Sequence, residues 1–194
     1  MKVLVLRNIT TPIIDILKQD GDDVIDTSEQ LDEYYFEKKE DYFIVSHGYR
    51  HIINHQVLNI IKDRIINLHI SYLPWNRGAD PNLWSFLENT PKGVSIHYID
   101  EGIDTGDIIV QKKLVFNEEK ETLLSTYQKL QDEIIHLFKT NWPLIKNNNC
   151  RRMKQPVGGS FHKSSDRKKF EHLLIKGWDT TVIGLRGKAI SRDY

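Results

Sequence analysis

Residues 67–107 read NLHISYLPWNRGADPNLWSFLENTPKGVSIHYIDEGIDTGD. The stretch begins directly after Ile65 and Ile66, an apolar pair typical of a buried strand. Asn67 and His69 are two residues apart, and residues at that spacing point to the same face of a strand. An amide and an imidazole are therefore expected side by side near the end of a strand.

An acidic loop, DEGIDTG, closes the stretch and contains Asp100 and Asp104. Acyl transfer needs a hydrogen-bond donor for the oxyanion, a proton acceptor and a group that orients the acceptor. Asn67, His69 and Asp104 have these three chemistries. Alone, an Asn-x-His pair is more typical of ordinary loop polarity, and Asp-Thr-Gly of a turn. The catalytic interpretation therefore depends on the whole stretch.

Upstream of this stretch, short apolar runs alternate with helical patterns. We expect strands at residues 2–6, 24–25, 42–46 and 64–68, and helices that begin near Thr11 and Asn54. This order predicts an α/β fold with a mostly parallel central sheet flanked by helices. The first strand-to-helix turn, residues 7–10, contains no glycine, which argues against a nicotinamide-binding or phosphate-cradling enzyme.

Downstream, Val94, Ile96 and Tyr98 alternate with polar residues and predict a half-buried strand. A further strand is expected at residues 108–116, and a long helix at 122–142, which Pro143 should end or kink. We expect a catalytic domain over residues 1–146 and a basic C-terminal extension, residues 147–194, packed on it, with residues 189–194 disordered.

Composition is that of an ordinary globular protein, but the charge is unevenly distributed. Residues 151–194 hold 11 Lys and Arg against 4 Asp and Glu, a net of +7, and the remaining chain has a net of −7. A basic segment on an acidic body favours an anionic substrate, and a solvated basic surface is the plain alternative. Apolar surface left on the long helix or the extension could also form a homodimer.

The cysteine, apolar and histidine content of the sequence bears on localisation and metal binding. The single cysteine excludes an intrachain disulfide, and neither a signal peptide nor a membrane span is expected, so the protein should be cytoplasmic and without a membrane partner. Each of His47, His51, His55 and His97 stands alone in its motif, so we predict no metal site.

The pattern N-x-H-x-S-x-L-P…R-G, followed by G-V-S-I-H and D-x-G-x-D-T-G-D-I, resembles the folate-dependent formyltransferases. The resemblance is specific over residues 64–116. It is closest to the sugar-nucleotide N-formyltransferases and to the formylation domain of a gramicidin synthetase, which GGSFH near the C-terminus also resembles. Ile70 departs from the family, in which many members carry proline. The family implies a Rossmann-like formyltransferase fold and 10-formyltetrahydrofolate as formyl donor.

The resemblance also implies roles for individual residues. The catalytic asparagine, histidine and aspartate of the family fall on Asn67, His69 and Asp104, and Asp104 should raise the pKa of the His69 imidazole. The folate pocket would be formed by the loop with Tyr49, Arg50, His51 and Ile52 and by the loop with Asp100 and Asp104. We further predict that Trp75, Asn76 and Arg77 contact the acceptor. Arg77 would pair with a phosphate or carboxylate, and the alternative is that it only holds the loop.

For the acceptor, we expect a dTDP- or UDP-linked deoxyamino sugar used in surface glycan synthesis, including an intermediate towards pseudaminic acid. A tRNA is disfavoured because few residues follow Cys150, and glycinamide ribonucleotide because residues 7–10 lack the family's phosphate loop. Four alternatives stay open: a formyltetrahydrofolate hydrolase, a peptidyl-amine formylating domain, a glycinamide ribonucleotide formyltransferase, and a non-catalytic folate- or nucleotide-binding module.

Overall fold

A six-stranded sheet forms the centre of the computed structural model, which describes residues 1–36 and 41–190. Its strands are β1 (Lys2–Leu6), β2 (Asp23–Thr27), β3 (Phe43–Ser46), β4 (Ile65–His69), β6 (Lys92–Tyr98) and β7 (Ile108–Leu114), in the order β2-β1-β3-β4-β6-β7. The first four strands are parallel, and β6 and β7 add to β4 as antiparallel strands. The predicted α/β fold with a mostly parallel sheet is confirmed.

Helices cover both faces of the sheet, as expected for strands that are apolar on both sides. The helices are α1 (Ile13–Gln19), α2 (His55–Ile61), α3 (Pro81–Leu87) and α4 (Leu123–Lys146). α1 and α4 pack on one face through a cluster that includes Leu17 and Phe138, while α2 packs on the other through Val57 and Ile61. Within the described ranges, none of the helices combines the length and apolar character needed to traverse a lipid bilayer.

The long helix differs from its prediction at its C-terminal end. It continues past Pro143 to Lys146, so the proline does not end it. Trp142 and Ile145 on either side of the proline are buried against the sheet, and Trp142 donates a hydrogen bond from Nε1 to Asp22. Tertiary packing therefore outweighs the local preference of proline against a helix interior.

The C-terminal segment returns to the carboxyl edge of the sheet. Its strand β8 (Phe161–His162) pairs in parallel with β5 (Arg77–Gly78), a short strand in the loop after β4. Residues beyond β8 form 3-10 helices, including Ser164–Leu173 and Val182–Gly184, which pack with α3 in a third apolar cluster. Most of the segment predicted as disordered, residues 191–194, lies outside the described residues.

Candidate functional site

The end of β4 places the predicted amide and imidazole on one face of the sheet. Asn67 and His69 alternate with Leu68, which points into the core on the opposite face. In the neighbouring strand β6, His97 lies opposite Asn67 in register. The local pattern of an apolar run followed by two polar residues at alternate positions therefore becomes a polar patch at the strand's carboxyl end.

Asp104 reaches this patch from the loop between β6 and β7. Its Oδ1 accepts a hydrogen bond from Asn67 Nδ2 at 3.1 Å and lies 3.4 Å from His97 Nε2. Its Oδ2 accepts from the Gly78 N–H at 2.8 Å. Asp104 has a left-handed backbone (φ 54°), and Gln155 donates to its carbonyl oxygen at 2.8 Å. The carboxylate is thus fixed from three sides.

His69 is buried, and its surroundings define its tautomer. Its Nε2 lies 3.2 Å from the main-chain oxygen of Asn76 and 3.6 Å from Oδ2 of Asp104. Because a carbonyl oxygen can only accept, Nε2 carries the proton and donates a hydrogen bond to the carbonyl oxygen of Asn76. In the neutral ring, Nδ1 is then the basic nitrogen.

Burial lowers the pKa of His69, and the charge of Asp104 only partly opposes this effect. Asp104 raises the His69 pKa as predicted, but desolvation of the ring is the larger contribution, so the net pKa is lowered. At neutral pH the imidazole is uncharged, as a proton acceptor must be.

The pKa of Asp104 is lowered well below its usual range. Burial alone would raise it, but the imidazoles of His69 and His97 and the Gly78 N–H outweigh burial by stabilising the carboxylate. Asp104 is therefore an anion throughout the physiological range. A carboxylate in this state can orient neighbouring groups and stabilise positive charge on them.

These residues face a cleft with a volume of about 830 Å³. Both loops predicted to bind folate contribute to its wall, with Tyr49, Arg50, His51, Ile52, Asp100 and Asp104. Several apolar side chains on this side are open to solvent: Ile52 is 71% exposed and Ile103 is 42% exposed. Exposed apolar groups around a polar centre are typical of a ligand-binding cleft.

The three residues predicted to contact the acceptor do not line this cleft. Asn76 is fully buried, and its side chain donates to Glu88 and accepts from Thr90 Oγ1. The structure therefore gives Asn76 an internal role, through the carbonyl oxygen that binds His69. Trp75 is half-buried, and Arg77 donates to the carbonyl oxygen of Gly158. For Trp75 and Arg77, substrate contact stays a prediction.

A smaller pocket of about 460 Å³ adjoins the cleft. The two share five lining residues: Ile70, Asp80, Pro81, Tyr127 and Arg167. Its wall includes Trp178, which is 55% exposed and makes an edge contact with Tyr127 at 5.3 Å between ring centroids. Asn82 also lines it, and the Oδ1 of this buried side chain accepts no hydrogen bond from residues 1–36 and 41–190. The pocket thus combines an aromatic face, a cation and a free acceptor.

Sequence reasoning missed His97, Gly78 and Gln155 as parts of the site. His97 was expected on the exposed side of a half-buried strand, but it is 1% exposed because β6 is covered on both faces. The signal available was the motif G-V-S-I-H itself, in which a histidine ends an otherwise apolar strand. Gly78 contacts Asp104 through its own main-chain N–H, and Gln155 contacts the main-chain oxygen of Asp104. A contact that uses a main-chain atom places little constraint on residue type, so the sequence does not reveal it.

Metal binding has no supporting cluster in the part of the chain that the structure describes: no three His, Cys, Asp or Glu side chains are arranged to hold an ion.

Comparison with known proteins points to one family. The sequence model described as formyl transferase matches residues 10–139. The methionyl-tRNA formyltransferase of Fusobacterium nucleatum is 37% identical over 113 residues, which is 58% of this chain and 36% of that protein. The chain therefore spans about a third of the length of the curated relatives it matches.

Solved structures are similar over a larger part of the chain. The formyltransferase PseJ from Anoxybacillus kamchatkensis, in complex with UDP-4,6-dideoxy-4-formamido-L-AltNAc and tetrahydrofolate, is 48% identical with a TM-score of 0.92, covering 97% of this chain and 100% of that one. A 4-N formyltransferase from Francisella tularensis is 25% identical with a TM-score of 0.73, covering 87% and 78%.

Proposed function

The chain belongs to the formyl transferase family, and on this basis we propose that it transfers a formyl group from 10-formyltetrahydrofolate to the amine of a UDP-linked deoxyamino sugar. The observation that carries the proposal is the convergence of Asn67, His69 and Asp104 at the floor of a cleft that continues into a second pocket. A donor and an acceptor can therefore meet at one polar centre.

The donor side of the cleft suits a folate. Ile52 and Ile103 present apolar surface that a flat pterin ring would cover, and the loops that carry them also offer main-chain groups for its polar edge. The donor supplies the activated formyl group. The protein contributes position and electrostatics, and Asn67 lies where its amide can donate to the formyl oxygen as negative charge develops there.

His69 is the group that handles the proton. The attacking amine must lose a proton as its nitrogen bonds to the formyl carbon, and the neutral imidazole accepts that proton at Nδ1. The resulting imidazolium is stabilised by the Asp104 carboxylate, which lies 3.6 Å from Nε2. The imidazolium then gives the proton on Nδ1 to the departing nitrogen of the donor. The bond to the donor nitrogen breaks and the new amide remains on the acceptor.

The acceptor side is the smaller pocket. A nucleoside fits its volume of about 460 Å³, Trp178 offers a stacking surface, and Arg167 lies at the junction with the cleft, where a diphosphate would pass. The choice of a UDP-linked 4-amino-4,6-dideoxy sugar is supported by the 48% identity to PseJ, whose complex contains the corresponding formamido product. The methionyl-tRNA enzymes match over a smaller part of this chain, so we favour the sugar nucleotide over tRNA.

The test is an incubation of the protein with 10-formyltetrahydrofolate and a panel of UDP- and dTDP-linked 3-amino and 4-amino sugars, with methionyl-tRNA and a no-acceptor arm beside them. We expect one UDP-linked 4-amino sugar to gain the mass of a formyl group. His69→Ala should abolish the gain, whereas His136→Ala, an exposed histidine on α4, should not. Formate release without acceptor would indicate a hydrolase, and no formylated sugar in any arm would refute the proposal.

A further inference from the structure

The loop after β4 supplies two main-chain groups to the catalytic centre. The carbonyl oxygen of Asn76 accepts from His69 Nε2 at 3.2 Å, and the N–H of Gly78 donates to Asp104 Oδ2 at 2.8 Å. These two contacts set the tautomer of the imidazole and the position of the carboxylate. Whatever fixes this loop therefore fixes both residues.

A carboxylate behind the loop holds it in place. Oδ1 and Nδ2 of Asn76 are bound by Thr90 Oγ1 at 2.8 Å and by Glu88 Oε2 at 3.2 Å. The same Oε2 accepts from Ser160 Oγ at 2.7 Å, and Ser160 in turn accepts from the Asn76 N–H at 3.0 Å. Glu88 thus joins the end of α3 to the loop and to the C-terminal segment.

The second oxygen of this carboxylate lies next to His162 of the C-terminal segment. Oε1 of Glu88 lies 3.0 Å from His162 Nε2, and the His162 ring is stacked on Trp84 with its centroid 3.7 Å away and the planes at 5°. The main chain of the segment continues the contact, since Ala79 donates to the His162 carbonyl at 2.9 Å. One oxygen of Glu88 therefore accepts hydrogen bonds from Asn76 and Ser160, and the other lies against the His162 ring.

We infer that Glu88 is a positioning residue for the proposed reaction: it locks the loop 76–79 between α3 and residues 160–162, and so holds His69 and Asp104 in their working arrangement. The expected effect on kcat rests on the proposed function, whereas the expected effect on the His69 tautomer does not. The inference also assigns a structural role to the C-terminal extension, because Ser160 and His162 contact Glu88 and help to hold the loop. Glu88 lines neither the cleft nor the smaller pocket.

Replacement of Glu88 by alanine would leave Ser160 Oγ without its acceptor and Asn76 Nδ2 with only the longer contact to Ser160 Oγ at 3.4 Å, and so loosen the loop. A misplacement of about 1 Å at a reacting group can cost about 10²-fold in rate. We expect Glu88→Ala to lower kcat by about 10- to 100-fold, with KM for donor and acceptor changed by about twofold or less. Glu88→Gln, which keeps an oxygen acceptor, should recover part of kcat. Glu119→Ala, an exposed glutamate, is the matched control and should behave as wild type.

A second readout does not depend on turnover. Nitrogen NMR of the histidine rings reports which ring nitrogen of His69 carries the proton, and Glu88→Ala should increase the population with the proton on Nδ1. If Glu88→Ala does not fold, Thr90→Val removes one bond to Asn76 in a shape-conserving way and should give the same change to a smaller extent. An unaltered kcat in the folded variants, or an unaltered His69 tautomer, would overturn the inference. Failure of formylation in the wild type would refute the proposed function but leave the NMR test decisive.

Discussion

The side-chain amide of Asn67 donates to the carboxylate of Asp104 at 3.1 Å, although the two residues are 37 positions apart. This bond joins the end of the last parallel strand to the loop between the two antiparallel strands. It orients the amide, whose nitrogen also lies 3.4 Å from His97 Nε2. In the proposed reaction this amide donates to the oxyanion.

Asn67→Ala should therefore lower kcat by about 10²–10³-fold, the usual cost of losing one oxyanion donor. The donor and acceptor KM values should change much less. Steady-state kinetics on the formylated sugar would measure both, and Asn59→Ala, on the exposed side of α2, is a suitable control. A variant whose loss lay entirely in KM would contradict a role for this amide in the transition state.

The lowered pKa of His69 predicts a pH profile. The neutral ring is the active form, so kcat/KM should rise as pH increases through the His69 pKa, and the midpoint of this rise should lie below pH 6.5, the usual value for histidine. Asp104→Asn removes the charge that raises this pKa, so the acidic limb should move to still lower pH while kcat falls. An acidic limb above pH 6.5 in the wild type would contradict the assignment.

Trp178→Ala tests the acceptor pocket. Stacking of a base on an aromatic side chain contributes about 1–3 kcal/mol, so loss of the ring should raise KM for the sugar nucleotide by about 5- to 100-fold and leave KM for the folate unchanged. Direct binding of UDP, measured by calorimetry, should weaken in parallel. Trp75→Ala is the informative partner, because Trp75 was predicted from sequence to line the acceptor site but lies away from both pockets. A larger effect from Trp75 would reverse the assignment.

Gly78→Ala should damage stability and catalysis together. Gly78 has φ 86°, and a Cβ there would lie 2.3 Å from the His162 carbonyl oxygen. Gly21 has a similar φ of 82° with nothing within 4 Å, so Gly21→Ala carries the backbone strain without the collision. Strain of this kind costs about 1–3 kcal/mol. We expect a lower melting temperature in both variants, a larger decrease for Gly78→Ala, and loss of activity only there. Equal effects would mean that the contact between β5 and β8 is unimportant.

The sequence was sufficient for the parallel half of the sheet, because its strands are short apolar runs whose bounds are marked by polar residues. Residues 2–6 were predicted as a strand and form β1 without any shift. Asn67, His69 and Asp104 could be proposed because the stretch that contains them resembles the formyltransferases. The structure brings all three within hydrogen-bond or ion-pair distance at one centre.

Other features could not be predicted because they arise from tertiary packing. The direction of the His69 pKa depends on burial by residues distant in sequence, and proximity to Asp104 in the motif suggested the opposite. Pro143 remains inside α4 because the helix face around it is buried. Asn76 was expected to face a ligand since it lies among polar residues, whereas its side chain is used entirely for internal hydrogen bonds.

The pairing of β5 with β8 has a consequence for biosynthesis. Every strand of the central sheet and all of Asn67, His69 and Asp104 leave the ribosome before residue 160 is made. A nascent chain of about 150 residues would hold the complete set of reacting side chains while the loop 76–79 still lacked Ser160 and His162. Under the proposed function, activity should therefore appear only after residues 160–162 have been made and have closed on the loop 76–79.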